Sequence, residues 1–462
     1  MKLIYNVEDK PKFGQLVVFA LQQLLAIMAA TLVVPVIVNG SIDGCRLSSA
    51  AALFGAGVGT IVYILFTKKQ SPVFLGSSFA FIGSMCAAMG GAASMAAGYI
   101  GLIIGAGFAG LIYVIISILV KCVGVKWISY VMPPVVIGPT VAIIGLSLAS
   151  NAIGDLTNAS GASPCSPLIA VLCGIVTLVV IMICSVYGKK SGKLIPFIYG
   201  ILAGYAFSSI LTIIGNTCSI DALKVVDYSS LTNLFSEGVK LSSFLSIPDF
   251  TFILGGTEGL NSLDWQYIVM LAVAYVPVAF VVFAEHIADH KNLSSIIERD
   301  LLEKPGLART LLGDGIGSVA GAIFGGCPNT TYGESIGCVA ITKNASVYSI
   351  IYAAVGAILI SFISPFVAFV NSIPSCVMGG ACMALYGFIA VSGLKMIKNI
   401  DLDENRNLFV VSAILIAGVG GLTLTFGNVT LTEVAAALIL GIIINLILGG
   451  GKKSRTAEKC DK

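Results

Sequence analysis

From about Leu16 to about Leu448 the chain returns again and again to apolar stretches long enough to cross a bilayer, for which about 20 residues are needed. Backbone N–H and C=O groups in hydrocarbon have no water to bond to, so each such stretch has to satisfy them within itself, as a helix. That constraint sets the fold class before any motif is read. Fourteen stretches are counted, and only 11% of the 462 residues are charged, less than half of the roughly 25% usual for soluble domains. An all-α polytopic membrane protein with fourteen transmembrane segments is expected. The run from Leu16 to Val38 is too long for the apolar region of a signal peptide and lacks a small-residue cleavage site, so it is read as the first helix. Twelve cysteines form no CxxC pair and no cluster with histidine, so they read as small packing residues, with neither a metal nor a cofactor expected.

Charge gives the topology. Of 26 lysines and arginines, the fourteen-crossing assignment puts all but Arg46, Lys224 and Lys240 on one side. Cytoplasmic loops carry the positive excess, so a multi-pass protein of the inner (cytoplasmic) membrane with both termini in the cytoplasm is expected. The basic residues are spread over many short loops. They do not form a nucleic-acid surface.

One long polar loop, residues 217–264, splits the crossings into seven and seven. Residues 1–216 are read as a first repeat, 265–450 as a second and 451–462 as a cytoplasmic tail. An odd number of crossings per half turns the second half over, so any likeness between the halves is an inverted repeat. The third segment of each half is interrupted by a polar, small-residue stretch, "FLGSSFAFIG" (74–83) and "NTTYGESIG" (329–337). Non-helical chain at membrane depth is tolerated only where it is buried in protein or lines a cavity. Two short extended stretches in segments 3 and 10, each followed by a half-helix, would offer backbone N–H donors to one midplane site.

Two acids complete that pattern. Glu285 ends "YIVMLAVAYVPVAFVVFAE" and Glu334 lies in the second interrupted stretch. A charge at the bilayer centre costs roughly 2.5–3.5 kcal/mol on insertion scales, so an intramembrane carboxylate marks function by default. Asp289 follows Glu285 by four residues and shares its helical face, either as part of the site or as an interfacial residue beside Lys291. Carboxylates that accept from ring N–H groups, opposite amides that donate to ring carbonyls, suit a cyclic imide. Burial and a like-charged neighbour both favour the neutral form of a carboxylate, a property that proton coupling uses. "GAGFAG" (105–110) matches a dinucleotide fingerprint but lies inside an apolar crossing with no preceding strand, so it reads as helix packing. The only histidines, His286 and His290, are read as lying on different faces of their helix and not as a metal pair.

At these residues the chain resembles the nucleobase-ascorbate transporter family, in particular its bacterial uracil permeases. The likeness runs from about Phe13 to about Leu448, through "QQLLAIMAATLVVPV" (22–36), "LGSSFAFI" (75–82), "AEHIADHKNLSSII" (284–297), "PNTTYGESIG" (328–337), "VMGG" and "LYG" (377–387) in the family's order. The resemblance implies two inverted seven-segment repeats, with a core domain from segments 1–4 and 8–11 and a gate domain from segments 5–7 and 12–14. It implies proton-coupled uracil uptake by alternating access. Glu285 and Glu334 would bind the pyrimidine N–H groups, the backbone amides of Phe79 and Gly333 its carbonyls, and Ala30 and Tyr386 would line the pocket. Glu285 and Asp289 would serve proton coupling. The partners implied are uracil or a related nucleobase, protons as the coupling ion and membrane lipids, with a homodimer left open. Three positions depart from the family pattern: Asp289 and Gln23 replace histidines, and Ser335 replaces the asparagine of the usual "GEN". A purine permease of the same family (xanthine or urate), an anion transporter on the same fold and an intramembrane enzyme are the rival readings. An anion path calls for buried basic residues, and an enzyme for a nucleophile paired with a base; neither stands out.

Overall fold

The computed structural model describes residues 3–449 apart from 125, 160–163, 237, 399 and 427–428; the expected tail, 451–462, lies outside the described residues. Leaving aside shorter helical turns, the chain runs α1 (Phe13–Ser41), α2 (Ser49–Phe66), β1 (Leu75–Ser77), α3 (Ile82–Gly90), α4 (Met95–Val123), α5 (Pro134–Ser147), α6 (Ala149–Thr157), α7 (Pro167–Tyr187) and α8 (Pro196–Cys218). It continues through α9 (Thr251–Asn261), α10 (Trp265–Ile297), α11 (Leu307–Gly325), β2 (Asn329–Thr331), α12 (Gly333–Thr342), α13 (Val347–Ile360), α14 (Ser375–Ile397), α15 (Asn405–Val419), β3 (Leu424–Phe426), β4 (Val429–Leu431) and α16 (Glu433–Gly449). Among the described residues, nine helical stretches are long and apolar enough to cross a membrane. The order long helix, helix, three-residue strand, short helix, helix occurs twice, from α1 to α4 and from α10 to α13.

Local chemistry sets the helix starts. The Ser48 side chain accepts from Ala51 N–H at 3.2 Å at the head of α2, and Asp264 Oδ1 accepts from Tyr267 N–H at 2.6 Å at the head of α10. Each supplies an acceptor for a donor that the first helical turn leaves unsatisfied. Within the expected long loop, 217–264, the described chain is folded: α9 packs on α4, and Ser246 N–H and Ser364 N–H exchange bonds of 2.9 Å with the carbonyls of Phe362 and Phe244.

The most extensive helix contact joins α2 to α11. Small residues permit it, because without water to drive association, membrane helices gain most from close backbone approach. A Cβ added at Gly55 would sit 2.5 Å from the Gly321 carbonyl oxygen, and one at Gly321 would sit 2.0 Å from Asn329 Nδ2. Asn329 Nδ2 itself donates to the Gly55 carbonyl at 3.0 Å, so the crossing also fixes β2. "GAGFAG" is packing: added Cβ atoms would strike Tyr275 at Gly105 and Val319 at Gly110, while Gly107 faces open space.

Gly321→Leu is expected to destabilise the protein by about 1–3 kcal/mol or more through overpacking, read as a lower midpoint of thermal unfolding in detergent. Gly107→Leu, with nothing within 4 Å of the added Cβ, should leave that midpoint unchanged, and equal effects of the two substitutions would refute the close-packed crossing.

Candidate functional site

The site is built around two strands that are each only three residues long. β1 and β2 pair antiparallel, with Leu75 opposite Thr331, Gly76 opposite Thr330 and Ser77 opposite Asn329. Each would otherwise leave backbone groups unpaired inside the molecule, at a cost comparable to a lost hydrogen bond. Side chains cover the remainder. Leu75 N–H donates to Thr60 Oγ1 at 2.9 Å, Phe74 N–H to Ser335 Oγ at 3.0 Å and Ser78 N–H to the Pro328 carbonyl at 2.9 Å. Tyr332 caps the sheet, its hydroxyl donating to the Ser77 carbonyl at 2.6 Å. Gly76 is required there, since an added Cβ would lie 2.3 Å from the Tyr332 ring.

Both strands lead into helices. Phe79 opens the 3-10 turn Phe79–Phe81 that runs into α3, and Gly333 is the first residue of α12. First-turn N–H groups have no intrahelical acceptor, and the positive end of the helix dipole lies there. These are the two amides singled out from the sequence. Gly333 is exposed, and Phe79 and Glu334 are half-buried.

α10 brings the acids to the same place. Glu285 is half-buried and lies close enough to Glu334 and Asp314 to interact electrostatically with both. Asp289, one turn along, accepts from Thr331 Oγ1 of β2 at 2.8 Å and senses Glu285 and Glu334. Asp289 is therefore tied to the strand pair. Tyr386 of α14 is buried, and its ring stands edge-on to Phe79 at a centroid distance of 6.0 Å. Ala30 is buried on α1, the helix that packs on β1 and α12.

Several residues here escaped the sequence reading. Asp314 of α11 has no solvent exposure, and its Oδ2 meets His286 Nδ1 at 2.7 Å, while His286 Nε2 meets Thr310 Oγ1 at 3.0 Å. An aspartate within "LLGDGIG" meets the same criterion that picked out Glu285, so that signal was present. The two histidines are a correction: spaced by four residues, they share a face and stack at 4.0 Å between ring centroids. All four of their ring nitrogens have protein partners, His290 Nδ1 bonding the His286 carbonyl at 2.8 Å and Nε2 the Tyr63 hydroxyl at 2.6 Å. Gln23 bonds Ser335, whose Oγ also accepts from Phe74, so two of the three departures from the family pattern are in contact.

Chemically, two carboxylates and two helix-start amides can hold a small ring that both donates and accepts, with an aromatic pair beside it. Residues 14–427 match the profile of a family described as the Permease family. The chain is 36% identical to the uracil permease of Bacillus caldolyticus over 452 residues, covering 97% of this chain and 95% of that protein. It is 37% identical to the uracil permease of Bacillus subtilis (strain 168) over 464 residues, covering 98% and 97%, and 34% identical to the uracil permease of Escherichia coli (strain K12) over 446 residues, covering 96% and 93%. Its fold is similar to the transmembrane domain of a cyanobacterium bicarbonate transporter, BicA, with a TM-score of 0.59 at 14% identity over 96% of this chain and 99% of that one. It is also similar to SLC26A9, with a TM-score of 0.61 at 11% identity over 95% of this chain and 66% of that one. By motif order, full-length identity and family profile, the chain belongs to the Permease family, among the nucleobase-ascorbate transporters that its motif blocks resemble.

Proposed function

We propose that this chain carries uracil across the cytoplasmic membrane together with protons, by alternating access between its two faces. One observation carries the reading: Glu285 and Glu334, from α10 and α12, interact with each other beside the helix starts at Phe79 and Gly333. Uracil is a planar imide whose two ring N–H groups need acceptors and whose two carbonyls need donors. Charge-assisted bonds from the N–H groups to the carboxylates are the stronger set; the helix-start amides supply the other. Ala30, being small, leaves room for the ring, and Phe79 and Tyr386 flank it. The relatives named uracil permeases at 34–37% identity point to the same cargo.

Proton coupling follows from the crowding of Glu285, Glu334 and Asp289 with the fully buried Asp314. Like charges so placed cannot all ionise at once without large cost, so uptake of a proton and binding of the ring's N–H groups act on the same carboxylates. Glu285 and Asp289 are the groups assigned to it.

For the movement, nine long helical stretches, four shorter apolar helices and the ten-residue α12 supply fourteen segments. They are read as two inverted repeats, 1–216 and 265–450, with 217–264 between them. The core domain (segments 1–4 and 8–11) would hold the strand pair and the acids. The gate domain (segments 5–7 and 12–14) would present Tyr386. Supporting this division, α2 packs on α11 and α4 on α10 and α11, whereas α14 packs on α5, α6 and α7. The solved structures of anion transporters share the fold at 11–14% identity, too distant to carry their cargo over, and a site lined by Glu285, Asp289 and Glu334 repels an anion.

The reading is tested by uptake of radiolabelled uracil in cells lacking their own permeases, with unlabelled xanthine and bicarbonate as competitors. Uracil uptake that uracil alone displaces is expected, and xanthine uptake in its place would assign the chain to purines. Glu334→Ala should weaken uracil binding by about 1–3 kcal/mol or more, roughly 5- to 150-fold in Kd, in purified protein of unchanged thermal stability; retained affinity would remove Glu334 from the site. Glu285→Gln keeps the shape and an acceptor oxygen but not the titration, so its uptake should lose the dependence on an imposed proton gradient that the unmodified protein shows.

A further inference from the structure

A cationic group sits unneutralised where α5 and α15 begin and α14 and α16 end. A cavity of about 440 Å³ lies there, with Pro134, Met396 and Ile400 among its apolar lining and Arg406, Asn407 and Asn445 as its polar lining. Among the described residues that line it, Arg406 alone is charged. Lys395 and Lys398 are exposed at the end of α14, on a side that the charge rule makes cytoplasmic. Leu408 and Phe409, close to Arg406 on α15, are exposed apolar residues, so this end of the helix borders lipid.

A guanidinium carries five N–H donors, and the chain uses few of them here. Arg406 Nη2 donates to Asn445 Oδ1 at 2.9 Å and to the Asn445 carbonyl at 3.4 Å. Both acceptors are neutral. Nε is buried and has no acceptor, and among the described residues no carboxylate is paired with Arg406. The acids nearest in sequence are engaged elsewhere: Asp401 Oδ1 accepts from Asp403 N–H at 3.0 Å, and Glu404 Oε2 from Asn407 Nδ2 at 3.2 Å. Leaving a charged donor short of acceptors is costly. Asn445 is only 2% exposed, within the apolar run of α16, and its bond to Nη2 fixes where the guanidinium lies. α5 and α15 both start at this cavity with no side chain capping them, so the positive ends of their dipoles add to the charge of Arg406.

We propose that the cavity between Arg406 and Asn445 binds an anionic phosphate group, as an acidic phospholipid headgroup or free phosphate presents it. The guanidinium offers its fork of N–H groups to phosphate oxygens, while Asn445 holds the fork in place. Pro134, Met396 and Ile400 give apolar cover of the kind that the glycerol and first acyl carbons of a lipid need. A basic pocket between helices on the cytoplasmic side is where acidic headgroups are taken up. This site shares no residue with the one at Glu285 and Glu334, and it stands whatever the cargo or the coupling ion.

The test titrates full-length protein in neutral detergent with short-chain phosphatidylglycerol, short-chain phosphatidylcholine and inorganic phosphate, counting bound ligand by native mass spectrometry. Phosphatidylglycerol, phosphate or both should bind at one site per chain, about tenfold or more tighter than phosphatidylcholine, whose choline offsets the charge. Phosphatidylglycerol without phosphate identifies a lipid site, and phosphate alone a site for the free anion. Arg406→Gln keeps an amide for Asn445 and removes the charge, so the affinity should fall about tenfold or more. Arg406→Lys keeps the charge, and with it the fold, but loses the fork, and should still cost about threefold or more. Lys121→Gln, at an exposed lysine in the last turn of α4, should stay within about twofold. Equal losses in Arg406→Gln and Lys121→Gln would reduce the effect to diffuse attraction and overturn the site. Undiminished binding by Arg406→Lys, or no preference for either anion in the unmodified protein, would overturn it too.

Discussion

Everything at the centre of this protein depends on satisfying extended backbone where no water reaches. A helix does so alone, but a strand of three residues does not. β1 and β2 each supply what the other lacks, and Thr60, Ser335 and Tyr332 cover the ends of the ladder. The demand then spreads outward. Thr60 comes from α2, so α2 has to lie against β1, and Asn329 at the start of β2 bonds the backbone of α2 through Gly55. The glycines of the α2–α11 crossing are what let those helices approach closely enough for both bonds to form. Packing in one part of the molecule is thus a condition for exposing two helix starts in another.

That arrangement separates two kinds of polarity. On one side of α10 the carboxylates Glu285 and Asp289 face the strands and α12, where Asp289 holds Thr331. On the other, His286 and His290 face α11 and α2, where Asp314, Thr310 and Tyr63 take up their ring nitrogens. One helix therefore carries a strand-facing row of acids and a core-facing row of histidines, out of phase by one residue. A buried polar contact such as His286–Asp314 adds modest net stability, and removing either partner would leave the other without its bond. Its value lies in fixing the rotation of α10 about its axis, and with it the direction in which both acids point.

Much of this was legible in the sequence. Apolar runs gave a membrane protein of helices, and the paired interruptions near Ser77 and Thr330 stood out because polar, small-residue chain has no other reason to recur at that depth. Glu285 and Glu334 were found because a charge in an apolar run is conspicuous. Asp314 was overlooked because "LLGDGIG" lies near the basic, loop-like stretch around Arg309, where an acid looks solvated; only the helix from Leu307 onward buries it. Tyr63 was invisible for a different reason. A tyrosine near the end of an apolar helix reads as an interfacial anchor, and nothing local reveals that its hydroxyl reaches a histidine 227 positions away. Contacts between distant segments are what sequence periodicity cannot carry.

The contact between Gln23 and Ser335 shows how far a local departure from a family pattern is informative. Taken separately, a glutamine for a histidine in the first helix and a serine for an asparagine after Glu334 each look like a lost side-chain bond. In the fold they are each other's partners, and Ser335 Oγ accepts at the same time from Phe74 N–H at the head of β1. A long amide reaching from α1 meets a short hydroxyl on α12, and the hydroxyl serves the strand as well. Both positions are buried, so truncating either side chain would leave the other without this bond, at a cost of about 1–3 kcal/mol. Gln23 and Ser335 therefore act as one unit. Their bond holds the first turn of α12, and with it Glu334, against α1 and the head of β1, in the middle of the molecule.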